Sequence, residues 1–309
     1  MTEPSSTGVP YEQQNLHKGH QYIKDGNTLL PCQTPVNPLD LQAGQEMVAV
    51  LEKQMGRLIL EWDFSWVTKS GFGVRSAEAE AMRLVSKYTD VPVPEVLFTD
   101  FSPDEVITSR SDFFKPDFHP PEGLIGMTII PGVPLEQKWD MLDDEAKESI
   151  CLQLWGLISK IRNIPRPPEF EGPYQCAADG SPSRDPMLED LRKPARPLSS
   201  DSELRARIYE RYIHCGGTRY ANSLLDMLPR SERSVFTHAD IAPRNIMVDE
   251  QKKITGILDW ESAGRYPDYW EYAQILRPAF WGDWSAWMDK TAPQRWDLRG
   301  INAARKVLF

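Results

Sequence analysis

Residues 234–261 read SVFTHADIAPRNIMVDEQKKITGILDWE. Two short apolar runs, Ile246–Val248 and Ile254–Leu258, flank the polar turn Asp249–Lys253, a pattern that predicts a β-hairpin. Closing that hairpin sets Asn245, before the first strand, opposite Asp259, after the second, because cross-strand neighbours lie roughly 5 Å apart. Two hard oxygen donors at that separation suit Mg²⁺, which takes a couple of protein ligands and completes its shell with phosphate oxygens and water. Asp240 lies five residues before Asn245, in a loop that Ala242 and Pro243 keep out of regular helix or strand, so it is expected to face the same cation. A carboxylate held there can orient a hydroxyl and take its proton during attack on a γ-phosphate. His238 reads as the residue that holds this loop by hydrogen bonds, not as the base. Asp and Asn are ordinary turn residues. The assignment rests on the conjunction of H-x-D-x-x-x-x-N, strand, turn, strand and then D, in which order, spacing and local structure must all agree.

Working upstream, DDEAKESICLQLWGLISKIRN (143–163) predicts a core helix with Ile150, Leu154, Leu157, Ile158 and Ile161 on one stripe. Its acidic start and basic end match the helix dipole. From Pro165 to Asp201 the chain is rich in Pro, Ser and charge without periodicity, which leaves an ordered loop over a site or a flexible insertion. DSELRARIYERYIHCGG and the stretch around Tyr220–Leu228 predict two further helical segments. Nearer the N-terminus, GLIGMTII predicts a strand ending at Pro131-Gly132, and AEAEAMRLVSKY a helix beginning near Glu78 and stopped by Pro92 and Pro94. GQEMVAVLEKQMGRLILEWDFSWVTKS mixes a helix-like stretch with β-rich runs at Leu58–Leu60 and Trp66–Thr68, so a small sheet is expected around Lys69. Residues 1–28 are polar and aperiodic and read as an N-terminal arm. The expected division is therefore 1–28, a β-rich lobe at 29–130 and a mostly helical lobe at 131–309.

Downstream, FWGDWSAWMDK places Trp281, Trp284 and Trp287 on one helical face, either as core or as part of a substrate pocket. Acidic residues there, Asp283 or Glu271, would draw an amine; Glu271 reads better as a structural support for the helix that follows Asp259.

Composition narrows the classes. A chain of 309 residues can bury two modest cores. Lys plus Arg number 35 against 45 Asp plus Glu, and the net charge of −10 disfavours nucleic acid while leaving a cationic small substrate open. No apolar run is long enough to span a bilayer and the first residues carry no secretory pattern, so no membrane partner and a cytoplasmic location are expected. The four cysteines, at 32, 151, 176 and 215, form no C-x-x-C pair and read as reduced thiols. Oligomeric state is not encoded in any of these features.

The segments FTHADIAPRNIMVD and ITGILDWESAGRYPDYWEYA resemble the aminoglycoside phosphotransferase family, in particular its fungal small-molecule kinase-like members. WVTKSGFGV, EAEAMRLV, DVPVPEVL and IIPGVPLEQKW are similar to its lysine strand, first-lobe helix, proline turn and hinge, so the resemblance spans roughly residues 55–285. It implies an α+β, bilobal protein-kinase-like fold and ATP with Mg²⁺ as cofactors. It also implies Lys69 on the α- and β-phosphates, Glu78 (or Glu80) as partner of Lys69, and Met127–Ile130 supplying backbone hydrogen bonds to adenine. The chain departs from the pattern at Ala239, where fungal members carry glycine. It departs again before Lys69, where Gly56 stands without a glycine-rich loop. Only Trp260–Arg265 separates Asp259 from the block YPDYWEYA, which leaves no room for a protein kinase's activation segment. The reading is phosphoryl transfer from ATP to a hydroxyl of a small-molecule acceptor. The alternatives are a kinase fold recruited as a Mg-dependent enzyme of another reaction and a non-catalytic nucleotide-binding protein.

Overall fold

The computed structural model describes residues 16–26, 28–32, 37, 41–54, 56–101, 123–168, 173–278 and 282–309. The chain divides into two compact units, one made of Met1–Ser76 with Val96–Ile129 and the other of Ala77–Glu95 with Ile130–Phe309.

The first unit is one seven-stranded sheet. Its strands are β1 (Gln21–Asp25), β2 (Thr28–Pro31), β3 (Gln45–Gln54), β4 (Arg57–Trp62), β5 (Trp66–Gly71), β6 (Val96–Phe101) and β7 (Gly123–Thr128), in the order β2-β1-β3-β4-β5-β7-β6. Every pairing is antiparallel. Tyr22, Val48, Val50, Leu58, Leu60 and Trp62 form one buried cluster, as side chains of one face recur every second residue. Two expectations change here. The helix-like stretch from Met47 is strand β3, because its β-branched Val48 and Val50 alternate inward and ladder partners on both sides override helix propensity. Within the expected N-terminal arm, Gln21–Asp25 pairs with β3 and buries Tyr22, a long-range contact that a short polar segment does not announce by itself. Residues 1–15 of that arm lie outside the described residues.

The second unit contains α1 (Ser76–Tyr88, all but its first residue), the two-residue strand β8 (Val133–Pro134), α2 (Asp144–Arg162), β9 (Cys176–Ala177), α3 (Asp201–His214), α4 (Leu224–Met227), β10 (Ser234–Thr237), β11 (Ile246–Val248), β12 (Ile254–Ile257), β13 (Gly264–Pro267), α5 (Trp270–Ile275), α6 (Trp284–Thr291) and α7 (Arg299–Leu308). Two small sheets, β10-β13-β9 and β12-β11-β8, lie among the helices. Helix α2 starts where the sequence places it, with the Asp143 carboxylate accepting from Ala146 N at 2.8 Å. The described part of 165–201 is ordered: Gln175 bridges Leu198, β9 pairs with β13, and Asp190 is salt-bridged to both Arg196 and Arg207 at 2.9 Å. All four cysteines are free thiols. No helix among the described residues is long and apolar enough to cross a membrane.

Candidate active site

The loop between β10 and β11 is built around a buried histidine. His238 is fully buried; its Nδ1 accepts from Asp240 N at 3.2 Å, so the proton lies on Nε2, which donates to Leu258 O at 2.9 Å. Burial holds the imidazole below its ordinary pKa, and Trp260 meets its ring edge-on at 4.5 Å. With both nitrogens committed, His238 supports the loop, as its position in the sequence implied. Behind it, the Glu271 carboxylate accepts from His238 N at 2.7 Å and from Ala239 N at 3.1 Å, two donors that no ladder satisfies. Burial pushes the Glu271 carboxyl up to about 7.

These contacts hold Ala239 in the left-handed region at φ +66°, where a side chain other than glycine is strained by roughly 1–2 kcal/mol. The turn presents Asp240. Asn245 Nδ2 donates to Asp240 O at 2.9 Å and to its Oδ2 at 3.1 Å, Arg244 donates to the same Oδ2, and Arg277 Nη2 donates to Oδ1 at 3.2 Å. Because the amide nitrogen of Asn245 is used in this way, its Oδ1 is the atom able to ligate a cation. Asn245 itself sits in a single 3₁₀ turn, Pro243–Asn245, between the loop and β11.

The expected hairpin is present, with Ile246 opposite Ile257 and Leu258 N donating to Asn245 O at 2.8 Å. It ties the residue before Asp259 to Asn245. Asp259 follows in the left-handed region at φ 63° and leads into a 3₁₀ turn that carries Glu261. Carboxylate oxygens of Glu78, Asp259 and Glu261 all lie within 4.8 Å of one another. Three like charges so close are mutually destabilising unless cations intervene. Glu261 was not singled out from sequence; its only signal is the spacing D-x-E after β12. Glu78, expected as the partner of a lysine, brings its carboxylate to Asp259, whereas Glu80 pairs with Arg83 at 3.9 Å on the same helix.

Lys69 lies in β5 of the first unit, opposite Ile59 and Ile125, and is only 5% exposed. The turn before it, between β3 and β4, contains Gly56 at φ +84°. Instead of further glycines in that turn, Gly71-Phe72-Gly73 folds back on it after the lysine. A Cβ on Gly56 would fall 2.1 Å from the Phe72 ring, and one on Gly71 2.1 Å from Gly56 O. Both close approaches require glycine.

Asp283 accepts from Lys147 Nζ at 2.9 Å and from the indoles of Trp139 at 2.8 Å and Trp287 at 2.9 Å. Trp284 is buried edge-on against Trp139. This aromatic face is packing, and Asp283 is spent on holding it; Trp281 lies outside the described residues.

A loop presenting a carboxylate beside an asparagine, then a hairpin and a second carboxylate, in a chain with an antiparallel lysine-bearing sheet and a helical unit, defines a kinase-like α+β phosphotransferase. Residues 73–303 match the profile described as "Phosphotransferase enzyme family". The chain belongs to that family. Among solved structures it is similar to a thermostable mutant of aminoglycoside phosphotransferase APH(4)-Ia in ternary complex with AMP-PNP and hygromycin B, with 15% identity, 81% of this chain and 78% of that chain covered, and a TM-score of 0.51. It is also similar to the protein of the gentamicin–APH(2″)-IIa complex, with 12% identity, 84% and 80% covered, and a TM-score of 0.50. No curated protein sequence matches it.

Proposed function

We propose that this chain transfers the γ-phosphoryl group of ATP to a hydroxyl of a small molecule, with Asp240 as the carboxylate that orients the hydroxyl and takes its proton. The observation that carries this reading is that, in the second unit, Asp240 is bonded to Asn245 just before the hairpin and Asp259 clusters with Glu78 and Glu261 just after it. The donor set fits Mg²⁺: a hard divalent cation offsets the repulsion of clustered carboxylates and prefers oxygen ligands. Asn245 and Asp259 would hold it, and when bound it supplies charge neutralisation to phosphate oxygens.

The remaining work belongs to the chain's own side chains. Arg244 and Asn245 fix the Asp240 carboxylate, while Glu271 and His238 fix the loop that carries it. Asp240 Oδ1, which accepts from the half-exposed Arg277 while Oδ2 accepts from both Arg244 and Asn245, is the oxygen assigned to receive the acceptor proton. Lys69 is assigned to the α- and β-phosphates with Glu78 as its partner, and the backbone of Met127–Ile130 to adenine.

Thermal unfolding of wild type, Asp240→Asn and Asp259→Ala with and without Mg-ATP, together with ADP release over a panel of hydroxylated acceptors, tests the assignment. Mg-ATP should raise Tm by several degrees in wild type and Asp240→Asn and lose most of its effect in Asp259→Ala. Turnover in Asp240→Asn should fall by roughly 10²–10⁴-fold, the usual contribution of a positioned general base. Wild-type turnover in Asp240→Asn would sink the role given to that residue. A Tm insensitive to Mg-ATP would sink the nucleotide assignment.

A further inference from the structure

A small pocket of about 110 Å³ opens beside Asp240, and the side chains lining it include Arg184, Arg277 and Arg305, with Asp185 and Asp240 as its acidic ones. We propose that the acceptor carries an anionic group, a carboxylate or a phosphate, which Arg277 and Arg305 bind in this pocket. The proposal deepens the phosphotransferase reading and rests on Asp240 being the acceptor-side carboxylate.

The case begins with Arg305. Its side chain is on α7, only 6% of the residue is exposed, and its guanidinium donates to two neutral oxygens, Gln274 Oε1 at 3.0 Å and Asn302 Oδ1 at 3.4 Å. Guanidinium groups so buried are ordinarily matched directly by a carboxylate. Asp185 is the nearest candidate, but its oxygens accept from Met187 N at 2.8 Å and Gln274 Nε2 at 2.7 Å, and burial raises its carboxyl above the ordinary range. It therefore offsets the charge of Arg305 only at a distance. Burial pushes Arg305 down to about 10, against the opposing pull of the Asp185 charge and with a smaller push from Arg277.

Arg277 stands at the pocket's exposed side, with 47% of its side chain accessible, and donates to Asp240 Oδ1. Asp240 already accepts from Arg244 on its other oxygen, so its one carboxylate is shared between two guanidinium groups. The pocket is locally cationic in a chain whose net charge is −10. A planar carboxylate or a phosphate matches the two-pronged donor geometry of arginine and would supply the missing counter-charge. A polyamine would meet repulsion at the same place. Because Arg277 touches Asp240, an anion captured by Arg277 sits a few bonds from the carboxylate, which favours a short hydroxylated acid or phosphate ester.

The test uses the full chain saturated with Mg-AMP-PNP and four three-carbon probes that differ in charge: glycerate, glycerol 3-phosphate, glycerol and serinol. Thermal shift and calorimetry should show binding of glycerate or glycerol 3-phosphate and none of glycerol or serinol, and whichever anion binds identifies carboxylate or phosphate as the group recognised. Arg277→Gln and Arg305→Gln should each weaken that binding roughly tenfold or more while the Mg-AMP-PNP shift persists. Arg277 is half-exposed, so its variant keeps the test intact if Arg305→Gln does not fold. Binding of serinol or glycerol as tight as that of the anions, no anion binding in wild type, or anion binding unchanged in Arg277→Gln would overturn the proposal. Loss of the Mg-AMP-PNP shift in wild type with Arg277-dependent anion binding intact would sink the nucleotide assignment and uphold the anion site.

Discussion

At the scale of single residues, the loop that carries Asp240 is set by two buried titratable groups that oppose each other. The Glu271 carboxyl is raised from 4.5 to about 7 by burial, so its folded form holds a proton that the unfolded chain has already lost. Its contribution to stability is full below pH 4.5 and is lost as pH rises through about 7, a change of up to about 3 kcal/mol at 1.36 kcal/mol per unit. His238 is lowered by burial, so its contribution is present above the ordinary imidazole pKa of about 6.5 and is lost as pH falls. The wild type should therefore show a shallow dependence between pH 5 and 8 that single substitutions unmask. In urea titrations at several pH values, Glu271→Gln should lose stability toward acid and His238→Gln toward base; parallel curves for both variants would refute the opposition. Asp240, Asn245 and Asp259 were legible in the sequence because they lie within one short segment whose turn and strand signals are local. The arginines of the adjacent pocket were not. Arg184, Arg277 and Arg305 are scattered over more than a third of the chain and meet only through tertiary packing.

At the scale of elements, the segment between α2 and α3 shows how a stretch without periodicity is held in place. Asp190 is inaccessible and receives Arg196 Nε and Nη2, both at 2.9 Å, with Arg207 on its second side. Those guanidinium groups hold its carboxyl well below the usual carboxylate range, so the stability it brings is present above about pH 4 and is lost as pH falls. Removing one partner of a buried pair leaves a charge uncompensated, at a cost of about 3–5 kcal/mol. Asp190→Ala should accordingly lower the urea midpoint and expose 173–200 to limited proteolysis, and a wild-type cleavage pattern would count against the pin. The hairpin and α2 could be read from apolar spacing because each forms its pattern within itself. Strand β3 could not: its local sequence favours helix, and the ladders on both of its sides, formed with residues 21–25 and 57–62, decide the outcome.

At the scale of the whole molecule, neither the charge of a pocket nor the connectivity of a unit can be read along the chain. An acidic composition leaves a cationic substrate open, while two guanidinium groups bond the Asp240 carboxylate itself, because a net charge averages over surfaces that a pocket does not see. Connectivity matters as well. The unit that carries Asp240 and Asp259 also contains residues 77–95, which the chain delivers in the middle of the first unit. Pro92 O accepts from Ile257 N at 3.0 Å, and Lys160 pairs with Asp90 at 2.8 Å, so this segment is bonded into β12 and α2. A fragment of residues 130–309 should unfold less cooperatively and at lower temperature than the full chain, and fusing 77–95 through a flexible linker should restore part of the difference. A fragment as stable as the full chain would show the segment to be dispensable.

That interleaving also bears on how the protein is made. At about 5–20 residues per second, a ribosome releases α1 many seconds before the last helix it must join. During that interval Ala79, Met82 and Val85, buried in the finished molecule, have no completed partner unit. The growing polypeptide thus exposes the apolar face of an amphipathic helix in mid-synthesis, an opening for a holding chaperone that the intervening residues 96–129 of the other unit prolong.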